Sequence, residues 1–364
     1  MCARDDLIQW HVREVRCHRG GQVLVPAAQV PFGRLLPYRR AAGEQPRAGC
    51  AGLVRSRGWI ADLGQRGTSE LLLGLAAAAA LQELTPGVPL HYDGPEAKLM
   101  RRCGLPVESS EHTWGPHVIR TATRSPVRFR IDPAESPAWL DEVEPGQMEV
   151  HSALPMRHYL AIEQRVGQRL SRDATPAPVF PSLEKRVPWH VVFVTTPGWP
   201  RHLDFRVDDF AEVASELMAA NPSAPWRFTV ITGRNSAVPP VFDGLPADVL
   251  CDPPAGDCVD LFASADLVVG TDVGLTQLAA LCTRPDGTTP QVVVLHARSS
   301  YTKWTTGSAN QHAVATRFAQ MLAFADRTAE PAELADPAWI ESASLRRISR
   351  FLVAEFASNC AGWR

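Results

Sequence analysis

Short apolar runs alternate with stretches of helical periodicity over most of the chain. The clearest instance lies between Asp266 and Leu281. Leu267, Val268 and Val269 form an apolar run that fits a parallel strand covered on both faces. Gly270, Asp272 and Gly274 punctuate a turn, and Leu275, Leu278, Ala279 and Leu281 then recur at helical spacing. Further strands are predicted at Trp189–Val194, Trp226–Thr232, Asp248–Cys251 and Gln291–His296, with helices at about 207–220 and 257–264 between them. Upstream, Trp59–Leu63 reads as a strand, Gly64–Glu70 as a polar Gly-rich loop and Leu71–Leu84 as an Ala-rich helix with Thr68 or Ser69 as its N-cap. Val88–Tyr92 reads as a second strand, Ala97–Cys103 as a helix, Val127–Ile131 as an exposed strand, and Pro155 to about Leu170 as a helix. Strands alternating with helices in this way imply an α/β fold with parallel sheets.

Composition narrows the picture. At 364 residues the chain is long enough for two domains, each with its own core. A Pro-rich stretch, 176–186, separates a unit at 58–175 from one at 187–335. Residues 1–57 form an N-terminal extension with a predicted hairpin, and 336–364 carry a C-terminal helix from Ser342 to Phe356. The formal net charge of −2 gives no electrostatic case for nucleic acid. No apolar run reaches the length of about 18 residues that a membrane span needs, and the first residues lack a signal-peptide pattern. The eight cysteines are scattered without a C-x-x-C pair, so they are read as reduced thiols in a cytoplasmic protein.

A strand–turn–helix such as 266–281 leaves the first backbone N–H groups of the helix free at the positive end of its dipole, where an anion can sit. Asp272 carries the wrong sign to bind a phosphate. It can cap the helix or accept hydrogen bonds from sugar hydroxyls. Ligands of parallel sheets gather beyond the carboxyl ends of the strands. That places Thr195, Thr196, Arg201, Gly233, the 271–275 turn and the loop after His296 together. His296 either faces a nucleotide or is a satisfied core histidine. No Asp-x-Asp motif follows a strand, which favours chemistry without a metal. The adjacent pair Asp208 and Asp209 is better explained by the dipole of the helix it starts.

The segment Thr271–Ala280 resembles the Asp-Thr-Gly-Leu-Ser-His-Leu-Ala-Ala signature of family-9 glycosyltransferases, the ADP-heptose:lipopolysaccharide heptosyltransferases and their relatives. Val273 stands for Thr, Thr276 for Ser and Gln277 for His. The resemblance implies a GT-B architecture, two Rossmann-like domains facing a central cleft. It also implies that Thr271, Asp272, Val273, Gly274, Leu275 and Gln277 hold a nucleotide-sugar donor. Thr195 and Thr196 match the family's hydroxyl pair, and Arg201 or Lys303 takes the place of its lysine. Glu70 falls on the position of the family's aspartate base, one methylene longer. The alternative for Glu70 is a first-turn carboxylate complementing a helix dipole. Gly67, Thr68, Ser69 and His158 lie on the acceptor side. The implied reaction is metal-independent inverting sugar transfer, with no cofactor beyond the nucleotide-sugar co-substrate, ADP-heptose. The reshaped N-terminal half and slightly acidic charge favour a small natural-product acceptor over the lipopolysaccharide core, in a monomer or weak dimer. A catalytically silent nucleotide-sugar-binding scaffold is the competing expectation.

Overall fold

The computed structural model describes residues 59–63, 67–111, 115–121, 127–130, 153–166, 170, 178–196, 207–233 and 244–335. The predicted N-terminal hairpin, Arg201 and the predicted C-terminal helix lie outside these residues.

The first unit contains β1 (Trp59–Asp62), α1 (Thr68–Leu84), β2 (Leu90–Gly94), α2 (Ala97–Met100), β3 (Val107–Glu111), β4 (Val118–Thr121), β5 (Val127–Arg130) and α3 (Leu154–Val166). Its five strands form one sheet in the order β3-β2-β4-β1-β5. The sheet is mixed, since β4 runs antiparallel to both neighbours, whereas β1 pairs β5 and β2 pairs β3 in parallel. This departs from the parallel sheet expected, because β3 and β4 follow one another through a short connection with no crossover helix.

After a two-residue strand β6 (Phe180–Pro181) the second unit runs β7 (His190–Val194), α4 (Val207–Ala220), β8 (Arg227–Thr232), β9 (Ala247–Cys251), α5 (Cys258–Ser264), β10 (Leu267–Thr271) and α6 (Gly274–Leu281). It continues with β11 (Cys282–Thr283), β12 (Gln291–His296), β13 (Gln311–Ala315), α7 (Arg317–Phe324) and α8 (Pro331–Ala335). Six strands pair in parallel in the order β13-β12-β10-β7-β8-β9. Counted from β7, this is the doubly wound order that reverses between its first and fourth strands, here β7 and β10. Side chains alternate between the two faces, as the pleat demands. Val192, Val194, Val268, Val292 and Val294 enter one apolar cluster. Val191, Phe193, Leu267, Val269, Val293 and Leu295 enter the other, beneath Phe210, Ala214 and Leu217 of α4.

The two units do not have separate cores. Leu71, Leu75, Tyr92, Ile119 and Tyr159 of the first unit belong to the same cluster as Val192, Val268 and Leu278 of the second. Helix α1 is the reason. It is buried along almost its whole length, from Leu71 to Leu84, and it packs against both α3 and α6. Its run of small side chains, Ala76 to Ala80, lets helices on either side approach closely. A second tie is polar. Arg102 grips Asp260 of α5 with two hydrogen bonds of 3.1 and 2.6 Å, and Ser182 donates to the same carboxylate at 2.6 Å. None of the described helices is long and apolar enough to cross a membrane.

Three buried histidines make the fold sensitive to acid. Burial pushes His158, His190 and His312 down to about 4; the Arg157 charge adds to the effect at His158 and that of Arg227 at His190. The folded values lie below the unfolded value of about 6.5, so the folded chain binds fewer protons in that window. Stability is therefore fully present above about 6.5 and falls as pH drops from there toward about 4. One pKa unit per ring is worth about 1.4 kcal/mol, so three rings remove about 4 kcal/mol or more. Urea midpoints at pH 7.5 and 4.5 check this, and equal midpoints would contradict it.

Candidate functional site at the strand crossover

The register brings the carboxyl ends of β7, β10 and β12 level with one another. Gly270 pairs with Val194, and Thr271 with Leu295. Thr195 and Thr196 therefore leave β7 beside Thr271, and His296 ends β12 beside Asp272. Thr271 Oγ1 donates to the Thr196 carbonyl at 2.9 Å, which fastens the two strands where their connections diverge. The Thr195 backbone N–H and hydroxyl both donate to the Ile231 carbonyl, at 2.9 and 3.0 Å, so this hydroxyl braces β8. Gly233 follows β8 at the same edge.

The turn itself is short. Val273 is the N-cap of α6 and offers no side-chain bond to it. Asp272 is instead the centre of a polar cluster. Gln277 Nε2 donates to its Oδ1 at 2.9 Å, and Ser299 Oγ donates to its Oδ2. His296 Nδ1 lies 3.0 Å from Ser299 Oγ and 3.4 Å from Asp272 Oδ2. Gln277, Thr276 and His296 are fully buried. Each keeps one polar atom without a hydrogen-bond partner: Gln277 Oε1, Thr276 Oγ1 and His296 Nε2. Gly270 is required beneath this cluster, because a Cβ there would run into Thr276 Oγ1 and come within 2.8 Å of Val194 Cβ.

Helix α1 starts earlier than the sequence pattern predicts. Thr68, Ser69 and Glu70 form its first turn, and Gly67 is the N-cap, at φ 116°, in place of Thr68 or Ser69. Thr68 Oγ1 donates to Glu96 Oε1 at 3.1 Å, and Tyr92 Oη meets His117 Nδ1 at 2.7 Å. Burial holds the His117 ring below its usual value, offset by a hydrogen bond to the Gly67 backbone. The polar residues fixing the start of α1 are thus Tyr92, Glu96 and His117. Their sequence spacing carries no recognisable signal.

The first turns of α1 and α6 touch. A Cβ on Gly274 would lie 2.6 Å from Thr68 Cβ and 2.8 Å from the Ser69 backbone nitrogen. The glycine expected to make room for an anion makes room for the start of α1. Gly274→Val is therefore expected to cost about 1–3 kcal/mol by overpacking. Thermal denaturation measures it, and an unchanged midpoint would show that 67–69 yields freely.

Two further predicted residues lie apart from this cluster. Lys303 is fully buried; its Nζ donates to the Asp326 carbonyl at 2.9 Å and lies 3.4 Å from Oδ1 of the same residue. That commitment removes it from the cations available to a diphosphate. His158 is buried on α3, the helix packed against α1, with its ring kept neutral at ordinary pH by burial.

No protein-family model and no curated protein matches the chain. Among solved structures the chain is similar to several glycosyltransferases. The chain is similar to an E. coli heptosyltransferase WaaC with ADP, at 12% identity and TM-score 0.49, over 72% of this chain and 97% of that one. It is similar to a glycosyl transferase family 9 structure from Veillonella parvula DSM 2008, at 9% identity and TM-score 0.45, over 80% and 95%. It is also similar to the iron-containing dodecameric glycosyltransferase TibC from enterotoxigenic E. coli, at 14% identity and TM-score 0.47, over 82% and 74%. At this degree of likeness the functional reading rests on the residues themselves.

Proposed function

We propose that the chain is an inverting glycosyltransferase that moves a sugar from a nucleoside diphosphate to an acceptor hydroxyl. One observation carries the reading. The segment with the glycosyltransferase-like sequence, Thr271–Ala280, stands at the crossover of a doubly wound sheet, where such sheets take their ligands. The backbone N–H groups at the start of α6 suit the leaving diphosphate. Thr196 and the guanidinium of Arg201 complete that role from the loop after β7. Glu70 takes the acceptor proton as general base, with Gly67, Thr68 and Ser69 on the acceptor side. The donor is ADP-heptose or a related nucleotide sugar. The acceptor is a small natural product, and the setting is a cytoplasmic monomer or weak dimer without a metal.

A second reading, a catalytically silent nucleotide-sugar-binding scaffold or partner subunit, draws support from Glu70 and Gln277, which stand where the resembled family has Asp and His. Incubation with ADP-heptose and a panel of acceptors, followed by mass spectrometry, separates the two. Transfer, or slow hydrolysis of the donor, that survives EDTA is expected. Binding without turnover would favour the scaffold. Turnover abolished by EDTA and restored by magnesium would overturn the metal-free mechanism.

A further inference from the structure

The cluster around Asp272 has an internal logic that fixes which of its atoms face a ligand. Ser299 has one hydroxyl proton, and it goes to Asp272 Oδ2. The Ser299 oxygen can then only accept from His296, so the His296 proton sits on Nδ1. In the neutral ring Nε2 then carries a lone pair, and the atom is buried without a hydrogen-bond partner. The same argument holds for Gln277. Its amide N–H is given to Asp272 Oδ1, and its Oε1 is left as a second buried acceptor without a partner. Asp272 accepts one hydrogen bond on each oxygen, which braces the two side chains and leaves further lone pairs on a carboxylate that is itself partly exposed.

Buried acceptors without a donor are rare in folded proteins, and each is unfavourable. Two of them braced on one carboxylate, at the crossover of the sheet, are an arrangement that a ligand bearing O–H groups completes. Anions are disfavoured here, because both free atoms are acceptors and a carboxylate lies behind them.

We propose that His296 Nε2 and Gln277 Oε1 are specificity-determining acceptors that read hydroxyl groups of the transferred sugar. The assignment rests on the glycosyltransferase reading and deepens it by naming which atoms meet the sugar rather than the diphosphate. It adds these two atoms to Asp272, for which the sequence left helix capping and sugar binding open.

The test uses two substitutions and two ligands. An Asn side chain reproduces the Nδ1–H of histidine and lacks the Nε2 acceptor, while Gln reaches the Nε2 position with its carbonyl oxygen. Calorimetry with ADP and with ADP-glucose should show His296→Asn binding ADP like the wild type and ADP-glucose about tenfold more weakly, a factor equal to one hydrogen bond of about 1.4 kcal/mol. His296→Gln should recover part of the loss. Equal affinity of His296→Asn and wild type for ADP-glucose would overturn the assignment. Parallel losses for ADP and ADP-glucose would also overturn it, as an effect on the fold or the nucleotide. Nitrogen-15 NMR of the unliganded protein supplies an independent arm, in which an Nδ1–H neutral tautomer is expected and an Nε2–H tautomer would sink the assignment. A wild type that binds neither ligand refutes the donor reading alone, and the tautomer measurement still decides this one.

Discussion

Asp326→Ala is expected to remove about 3–5 kcal/mol of folding stability, the usual cost of leaving buried charge without its counter-ion. The Asp326 carboxylate is 6% exposed, and it meets the guanidinium of Arg157, 2% exposed, and the ammonium of Lys303, 0% exposed. Burial drags the Arg157 guanidinium below its ordinary value, and Asp326 pulls it back up only in part. Desolvation is therefore the larger influence on this cation, and the carboxylate is what makes it tolerable. The cluster also joins distant parts of the chain, since Arg157 lies on α3 and Lys303 follows β12. The Leu154 N–H donates to the Lys303 carbonyl at 3.0 Å, so the start of α3 is held to the same place. Asp326 adopts a positive φ of 47°. Asp326→Asn is the control, because Asn tolerates that backbone as well as Asp does and removes only the charge. Urea denaturation should give similar losses for the Asn and Ala variants. A loss below about 1 kcal/mol for both would show that the pair behaves like an exposed one.

The second large effect concerns turnover. Glu70→Gln keeps volume and hydrogen bonding but removes the basic lone pair. General bases contribute about 10²–10⁴-fold to rate, so turnover should fall by about two orders of magnitude or more. Donor affinity should change less than turnover, because a general base acts on the acceptor proton in the transition state. Glu70 stands in the first turn of α1, half-buried, where a carboxylate also complements the helix dipole. If that is its whole role, the variant loses only about 0.3–1 kcal/mol of stability and turns over normally. Melting temperature and turnover measured on the same protein separate the two roles. Glu70→Asp should keep part of the activity, since the resembled family carries Asp there.

Periodicity made the second unit legible. The runs at Trp189–Val194, Trp226–Thr232, Leu267–Val269 and Gln291–His296 are strands of the parallel sheet, because strands covered on both faces must be apolar; the edge strand β9 is partly exposed. The first unit was harder to read. Val107–Glu111 and Val118–Thr121 are short, polar and partly exposed, so no run marks them. Helix α1 reads in the sequence only as an Ala-rich helix, but it is buried along almost its whole length between α3 and α6, and that burial joins the first unit's core to one face of the second unit's sheet. A uniformly apolar, Ala-rich helix is the one sign of this in the sequence.

The site divides in the same way. That the 271–275 turn and Thr195–Thr196 lie together at the carboxyl edge of the sheet could be read from the sequence, because turn residues and strand ends are local features. The Asp272–Ser299–His296 arrangement could not, since it depends on β10 and β12 being neighbours in register. Lys303 was misplaced because its partner, Asp326, is far along the chain and gives no local sign. The role of Gly274 was misjudged for a similar reason. The atoms it must avoid belong to Thr68 and Ser69, about two hundred residues upstream.

Hydrogen–deuterium exchange with and without ADP-heptose tests the central claim most directly, because it reports where the nucleotide sugar sits without assuming an acceptor. The account predicts slowed exchange at the backbone amides of 195–196 and 271–277, the carboxyl ends of β7 and β10 and the first turn of α6. Binding accompanied by protection elsewhere, with these amides unchanged, would contradict it.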